Sequence, residues 1–77
     1  MTLTLLGIGE KAQVVLLTGQ PKMRQYLSGL GFVFGRTVEM IQRAVGDHLI
    51  VGLSGARIAI DRKVAHHIHI ALHEGKN

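Results

Sequence analysis

Four of the chain's five histidines, His66, His67, His69 and His73, fall within eight consecutive positions near the C-terminus. Imidazole nitrogen is a standard ligand for divalent transition metals, so the chemistry this run could carry is coordination. In an extended segment side chains alternate, which places His67 and His69 on one face and Ile68, Ile70 and Leu72 on the other. At a rise of about 3.3 Å per residue the two imidazoles stand roughly 6.6 Å apart and can pinch one ion between them. His73 lies about 13 Å beyond His69 and joins them only if the tail folds back. A structural zinc site takes four ligands and a catalytic one takes three plus water, so two imidazoles do not complete either. Glu10, Glu39 and His48 are candidates for a third ligand, and nothing in the sequence ranks them. The competing reading is a hydrated strand face, tolerated because imidazole is polar and only partly charged near neutral pH. On that reading no cofactor is required, and any metal bound is weak and adventitious.

Other reactive constellations are missing. There is no G-x-S-x-G, no HExxH, no phosphate-binding loop of the Walker type and no helical pair of carboxylates. The pair Gly7 and Gly9 resembles the start of a dinucleotide loop, but no strand precedes it and no helix follows. No enzyme is expected. Nine Lys and Arg against five Asp and Glu give a formal charge of +4, which makes an acidic partner or nucleic acid worth weighing. A small basic nucleic-acid-binding barrel is therefore an alternative function. It needs aromatic faces for bases to stack on, and the chain offers only Tyr26, Phe32 and Phe34. The basic residues are dispersed as well, with Arg62 and Lys63 the sole adjacent pair.

With 77 residues, 47% of them apolar and 18% charged, the chain is one small folding unit, a core at about 5–72 with a tail at 73–77. The absence of cysteine excludes a disulfide framework and a thiolate metal site, which fits a cytoplasmic protein. The N-terminus lacks the charged region of a signal peptide. No run approaches the roughly 18 apolar residues needed to span a bilayer, so no direct membrane insertion is expected.

Ten glycines and one proline imply many tight turns between short apolar runs, the texture of a small β-rich domain. Gln13 to Leu17 reads as a first strand, with Leu3, Leu5 and Leu6 packing ahead of it as an N-terminal arm. Met23, Tyr26, Leu27 and Leu30 recur at helical spacing and make one apolar stripe. Pro21 suits the first helical position, and Gly31 suits the left-handed residue just past the last turn, with Phe32 folding back onto Leu27 or Tyr26. Thr37 to Arg43 is a second strand, Gly46-Asp47 a turn, and Leu49, Val51 and Leu53 the inward side of a third. Ser54-Gly55 fits a hairpin into a fourth strand that carries Ile58 and Ile60. Asp61 caps a helical turn from Arg62 to His66 that turns Val64 or Ala65 inward, and the histidine strand closes the domain. The fold expected is mainly β: a small SH3-like five-stranded barrel, with one helix between strands 1 and 2 and a short helical turn before strand 5. Closing the sheet removes its exposed edges.

The spacing Leu27, Leu30-Gly31-Phe32, Gly35 resembles the L-x-x-L-G-[LMF]-x-x-G signature of the FeoA family. The likeness continues through the Gly46-Asp47 turn, through Ile58-Ala59-Ile60, and through Ala65 with Ile68 and Ile70 near the end. It runs from about Leu5 to Leu72. Two positions depart from the pattern: Phe34 stands where the family usually has a proline before the glycine, and His48 stands where a proline commonly follows GD. Proline there only pre-sets turn angles, so the fold survives the change.

The resemblance implies a non-catalytic accessory or regulatory protein of bacterial ferrous iron uptake that acts on the cytosolic part of the FeoB transporter. It also implies a barrel shared with iron-dependent repressors, and fold alone does not fix function. The contact residues this reading selects are Tyr26, Phe34 and Arg36, on the helix and its exit loop, with Phe34 the apolar loop residue that has no core role. The alternative is a divalent-metal-responsive module in which His67 and His69 take Fe(II) or Zn. The sequence leaves self-association and the direction of any effect on GTP hydrolysis open.

Overall fold

The computed structural model describes residues 1–72. Among them the elements run in the order of a 3-10 turn at Leu3–Leu5, β1 (Lys11–Leu17), α1 (Pro21–Leu30), β2 (Thr37–Ala44), β3 (His48–Leu53), β4 (Ala56–Asp61), α2 (Arg62–Ala65) and β5 (Ile68–Leu72). The five strands form one antiparallel sheet in the order β4-β3-β2-β1-β5. Bulges between Val14 and Leu16 and between Met40 and Gln42 bend β1 and β2, as an extra residue on one strand of a pair must.

Alternation builds the interior. Ala12 and Val14 of β1, Val38 and Met40 of β2, Leu49, Val51 and Leu53 of β3, Ile60 of β4, and Ile68 and Ile70 of β5 are all buried. Leu27 and Phe32 close the core from the helix side, Ala65 from α2, and Leu3 and Leu6 from the N-terminal arm. The β3–β4 hairpin turns on Ser54 at φ 54 and Gly55 at φ 81, the two left-handed residues that a type I′ turn requires.

The helix starts at Pro21 and stops at Gly31, whose φ of 111 is left-handed. The Phe32 N–H donates to the Leu27 carbonyl at 3.1 Å and the Gly31 N–H to Ser28 at 3.0 Å, the paired bonds of a Schellman end. An added Cβ at Gly31 would come within 3.2 Å of Leu53 Cδ2, so glycine is needed for both angle and space. Asp61 caps α2 by accepting the Lys63 N–H at 3.0 Å.

Three apolar residues expected inside are outside. Leu5 is 68% exposed. In a 3-10 turn residues three apart eclipse, so Leu3 and Leu6 share the buried side and Leu5 is turned away. Tyr26 is 56% exposed, because the buried stripe of α1 is narrower than its apolar pattern: only Leu27 is fully covered, with Met23 and Leu30 partly so. Its hydroxyl also keeps to water more cheaply than a leucine would. Leu72, the last residue of β5, is 49% exposed at the rim of the sheet.

Among the described residues the end strands β4 and β5 do not pair with each other. The outer edge of β5 is instead covered by the N-terminus, where Thr2 bridges His69 and the Ile70 N–H donates to the Met1 carbonyl at 2.7 Å. Arg43 holds the arm from β2, donating to the carbonyls of Thr4 at 3.0 Å and Leu6 at 2.6 Å. No described helix is long and apolar enough to cross a membrane.

Candidate partner-binding face

The exit loop of α1 is short of slack. After the Schellman bonds, the Val33 N–H donates to Gly31 and the Arg36 N–H to Val33. The loop is then stapled to β1 from both sides: the Gly35 N–H donates to the Val14 carbonyl at 2.7 Å and the Val14 N–H to Arg36 at 3.0 Å. Arg36 extends across to the β3–β4 hairpin, where its guanidinium donates to Ser54 Oγ at 2.6 Å. Between these anchors Phe34 stands 81% exposed, while Phe32 two residues earlier is wholly buried. The backbone that carries this ring is already held by hydrogen bonds, so little backbone entropy is lost when something covers it. Tyr26, exposed on the helix that leads into this loop, adds a second aromatic surface. The apolar stripe of α1 places Tyr26 in the core, and its exposure corrects that; it leaves the ring available for contact.

His67 and His69 have different surroundings. His67 precedes β5, and its carbonyl accepts the Thr18 N–H at 2.9 Å. Its ring lies against β1's exit, with Nδ1 at 3.3 Å from Thr18 Oγ1. Gly19, at φ 98, lets the ring come this close: a Cβ there would sit 3.0 Å from Nδ1 and 3.1 Å from Cε1. The sequence marks Gly19 only as a strand boundary, because the contact that needs it joins segments 49 residues apart. His69 lies in β5 opposite Leu16, half-buried beside the bridging Thr2.

The suggested third ligands lie in separate places. Glu10 accepts the Gly7 N–H at 2.7 Å, Glu39 sits across from Lys11 on β2, and His48 pairs with Asp61 at the far end of β3. Among the described residues no group of three or more His, Cys, Asp or Glu stands close enough to hold an ion. His73 lies outside the described residues.

The model of the FeoA domain matches residues 1–72. The chain belongs to the FeoA family. Solved FeoA structures superpose on it closely. A crystal structure of an iron uptake regulatory protein, FeoA, has a TM-score of 0.84 at 28% identity, covering 92% of this chain and 93% of that one. The solution structure of FeoA from Chlorobium tepidum has a TM-score of 0.87 at 28% identity, over 100% of this chain and 74% of that one. FeoA from Stenotrophomonas maltophilia, solved with zinc and described as a prokaryotic SH3 domain protein, has a TM-score of 0.77 at 28% identity, over 92% and 89%. A manganese-dependent transcriptional repressor shares the fold at 16% identity. No match to a curated protein reaches significance. The FeoA fold here is therefore the SH3-like one, and its family is associated with ferrous iron transport.

Proposed function

We propose that this FeoA chain is an accessory of ferrous iron uptake that binds the cytosolic region of a FeoB-type transporter, acting by contact with no bond made or broken. The observation that supports it most is Phe34, an aromatic side chain 81% exposed on a loop tied down at both ends. A domain gains little stability from such a residue, and the loop backbone is held by its hydrogen bonds whether or not the ring is covered. Tyr26 supplies a second exposed aromatic side chain on the preceding helix, and Arg36 a positive charge in the same loop as Phe34. Titrating the transporter's purified cytosolic region with wild-type protein and with Phe34→Ala tests this reading. Saturable binding that weakens at least tenfold in the variant is expected. Equal binding by both proteins overturns the assignment of Phe34.

A second reading follows from the zinc bound to the Stenotrophomonas maltophilia relative: a module that senses a divalent ion through His67 and His69. It is the weaker one here. The His67 ring already has Thr18 as a partner, and no third ligand stands nearby among the described residues.

A further inference from the structure

The solvent side of α1 is built against the stability of the helix that carries it. Lys22, Gln25, Tyr26 and Gly29 are all exposed and stand at i, i+3, i+4 and i+7, so they form one stripe beside the covered one of Met23, Leu27 and Leu30. Gly29 lies inside the helix, where glycine costs stability relative to alanine. The fold gives no reason for that cost. A Cβ added at Gly29 would meet nothing within 4 Å, whereas one at Gly31 would meet Leu53 Cδ2 at 3.2 Å. The Gly29 backbone is helical, so no left-handed angle requires glycine there either.

The charges break a second local rule. Lys22 and Arg24 lie at the start of α1, where the aligned peptide dipoles already leave a partial positive charge, so a cation there costs stability. The first turn holds no acidic residue, and Gln20 makes no side-chain cap bond. Between Glu10 and Glu39 the chain carries Lys11, Lys22, Arg24 and Arg36 and no carboxylate. The described carboxylates are placed elsewhere. Glu10 accepts the Gly7 N–H, Asp61 accepts the Lys63 N–H, Asp47 pairs with Arg62, and Glu39 sits on β2 opposite Lys11 and Gly52. Arg24 donates to the Gly19 carbonyl, and among the described residues neither it nor Lys22 is paired with an acid.

Charge and shape together select the occupant. Cations on a face without acids favour a negatively charged covering, and an exposed glycine beside longer side chains lets a second backbone come close. A second copy of a chain with formal charge +4 would bring like charges to this helix. We propose that the stripe of Lys22, Gln25, Tyr26 and Gly29 receives an acidic segment of the partner protein. Its carboxylates lie toward the Lys22 and Arg24 end of the helix, its backbone crosses at Gly29, and Tyr26 between them packs on an apolar side chain of the segment. This rests on the reading of the chain as a contact module and names the chemistry of what it contacts.

The test pairs folding with binding and uses the full chain. Gly29→Ala should raise the thermal midpoint by about 4–8 °C, the shift that the difference in helix propensity gives a domain of this size. Lys22→Glu complements the helix dipole and should not lower the midpoint. Gly29→Leu projects into open space and should stay folded. Lys22→Glu and Gly29→Leu should nevertheless each weaken binding of the transporter's cytosolic region at least about tenfold, a loss that a structural role would not produce in folded variants. A lowered midpoint in Gly29→Ala, or wild-type binding by both other variants, overturns the proposal. So does binding to vesicles of anionic lipid that Lys22→Glu abolishes while the cytosolic region binds as before, since the occupant is then a lipid surface. The transporter reading is separable. If the cytosolic region binds in a Phe34-dependent way and both α1 variants bind like wild type, this inference falls and the function stands. If the cytosolic region does not bind at all, the function falls and a glutamate-rich peptide decides the inference: weaker binding by both variants upholds the acidic occupant, and equal binding overturns it.

Discussion

Phe32 and Phe34 are two residues apart in one loop and should behave as opposites. Phe32 is wholly buried, and Phe34 is 81% exposed. A buried phenylalanine removes about 200 Å² from water, worth roughly 5 kcal/mol at about 25 cal/mol per Å². Measured Phe→Ala changes in cores lie at about 3–5 kcal/mol. Phe34 keeps about a fifth of that area covered, so its truncation should cost no more than about 1 kcal/mol. A domain of this size has a total stability of roughly 4–12 kcal/mol at about 0.05–0.15 kcal/mol per residue, so Phe32→Ala should leave the chain marginal or unfolded. Urea titration followed by far-ultraviolet circular dichroism measures both variants, and the midpoint at constant slope gives the difference. A Phe34→Ala loss above about 2 kcal/mol, or equal losses in the two variants, would refute the reasoning, because the loop would then be part of the core.

Gly31→Ala must force a left-handed angle and meet Leu53 Cδ2 at 3.2 Å, so it should lower stability by at least about 1 kcal/mol in the same titration. Arg43→Ala removes the two bonds that hold the N-terminal arm and should cost about 1–3 kcal/mol, with faster amide exchange at Leu5 and Leu6. Unchanged exchange there would show that the arm is held by its apolar residues alone. Anaerobic titration with Fe(II), and separately with zinc, should give binding no tighter than about millimolar, unaltered by His67→Ala. Tight binding that the variant abolishes would replace the contact module with the metal-responsive one.

The parts of this fold legible in the sequence are those set by neighbours along the chain. Pro21, the Met23–Leu27–Leu30 spacing and Gly31 marked both ends of α1, because helix caps are local hydrogen-bond problems. Leu49, Val51 and Leu53 marked the inward face of β3, and Ser54-Gly55 marked its hairpin, for the same reason. Where burial depends on distant partners the pattern misled. Leu72 continues the alternation of Ile68 and Ile70 but runs past the end of the core. The bulges that shift the register of β2 after Met40 and place Leu16 opposite His69 exist only once β1 and β2 meet their neighbours. How the edges end also depends on distant segments: the N-terminus covers the β5 edge, and among the described residues no strand pairs with the outer edge of β4. In the candidate site the exposure of Phe34 was legible, because no helical or strand period claimed it. The Arg36–Ser54 bond and the packing of His67 on Gly19 join segments far apart in the chain, and no local rule reports them.

The central claim is that this FeoA chain meets its partner through its rim and leaves its interior unchanged. Amide chemical shifts recorded while the transporter's cytosolic region is added test it most directly. Perturbations should fall on Tyr26 and Gly31 to Arg36, with the buried positions of β1 and β3 staying in place. Perturbations confined to the His67–Leu72 strand, or spread through the whole core, would contradict it.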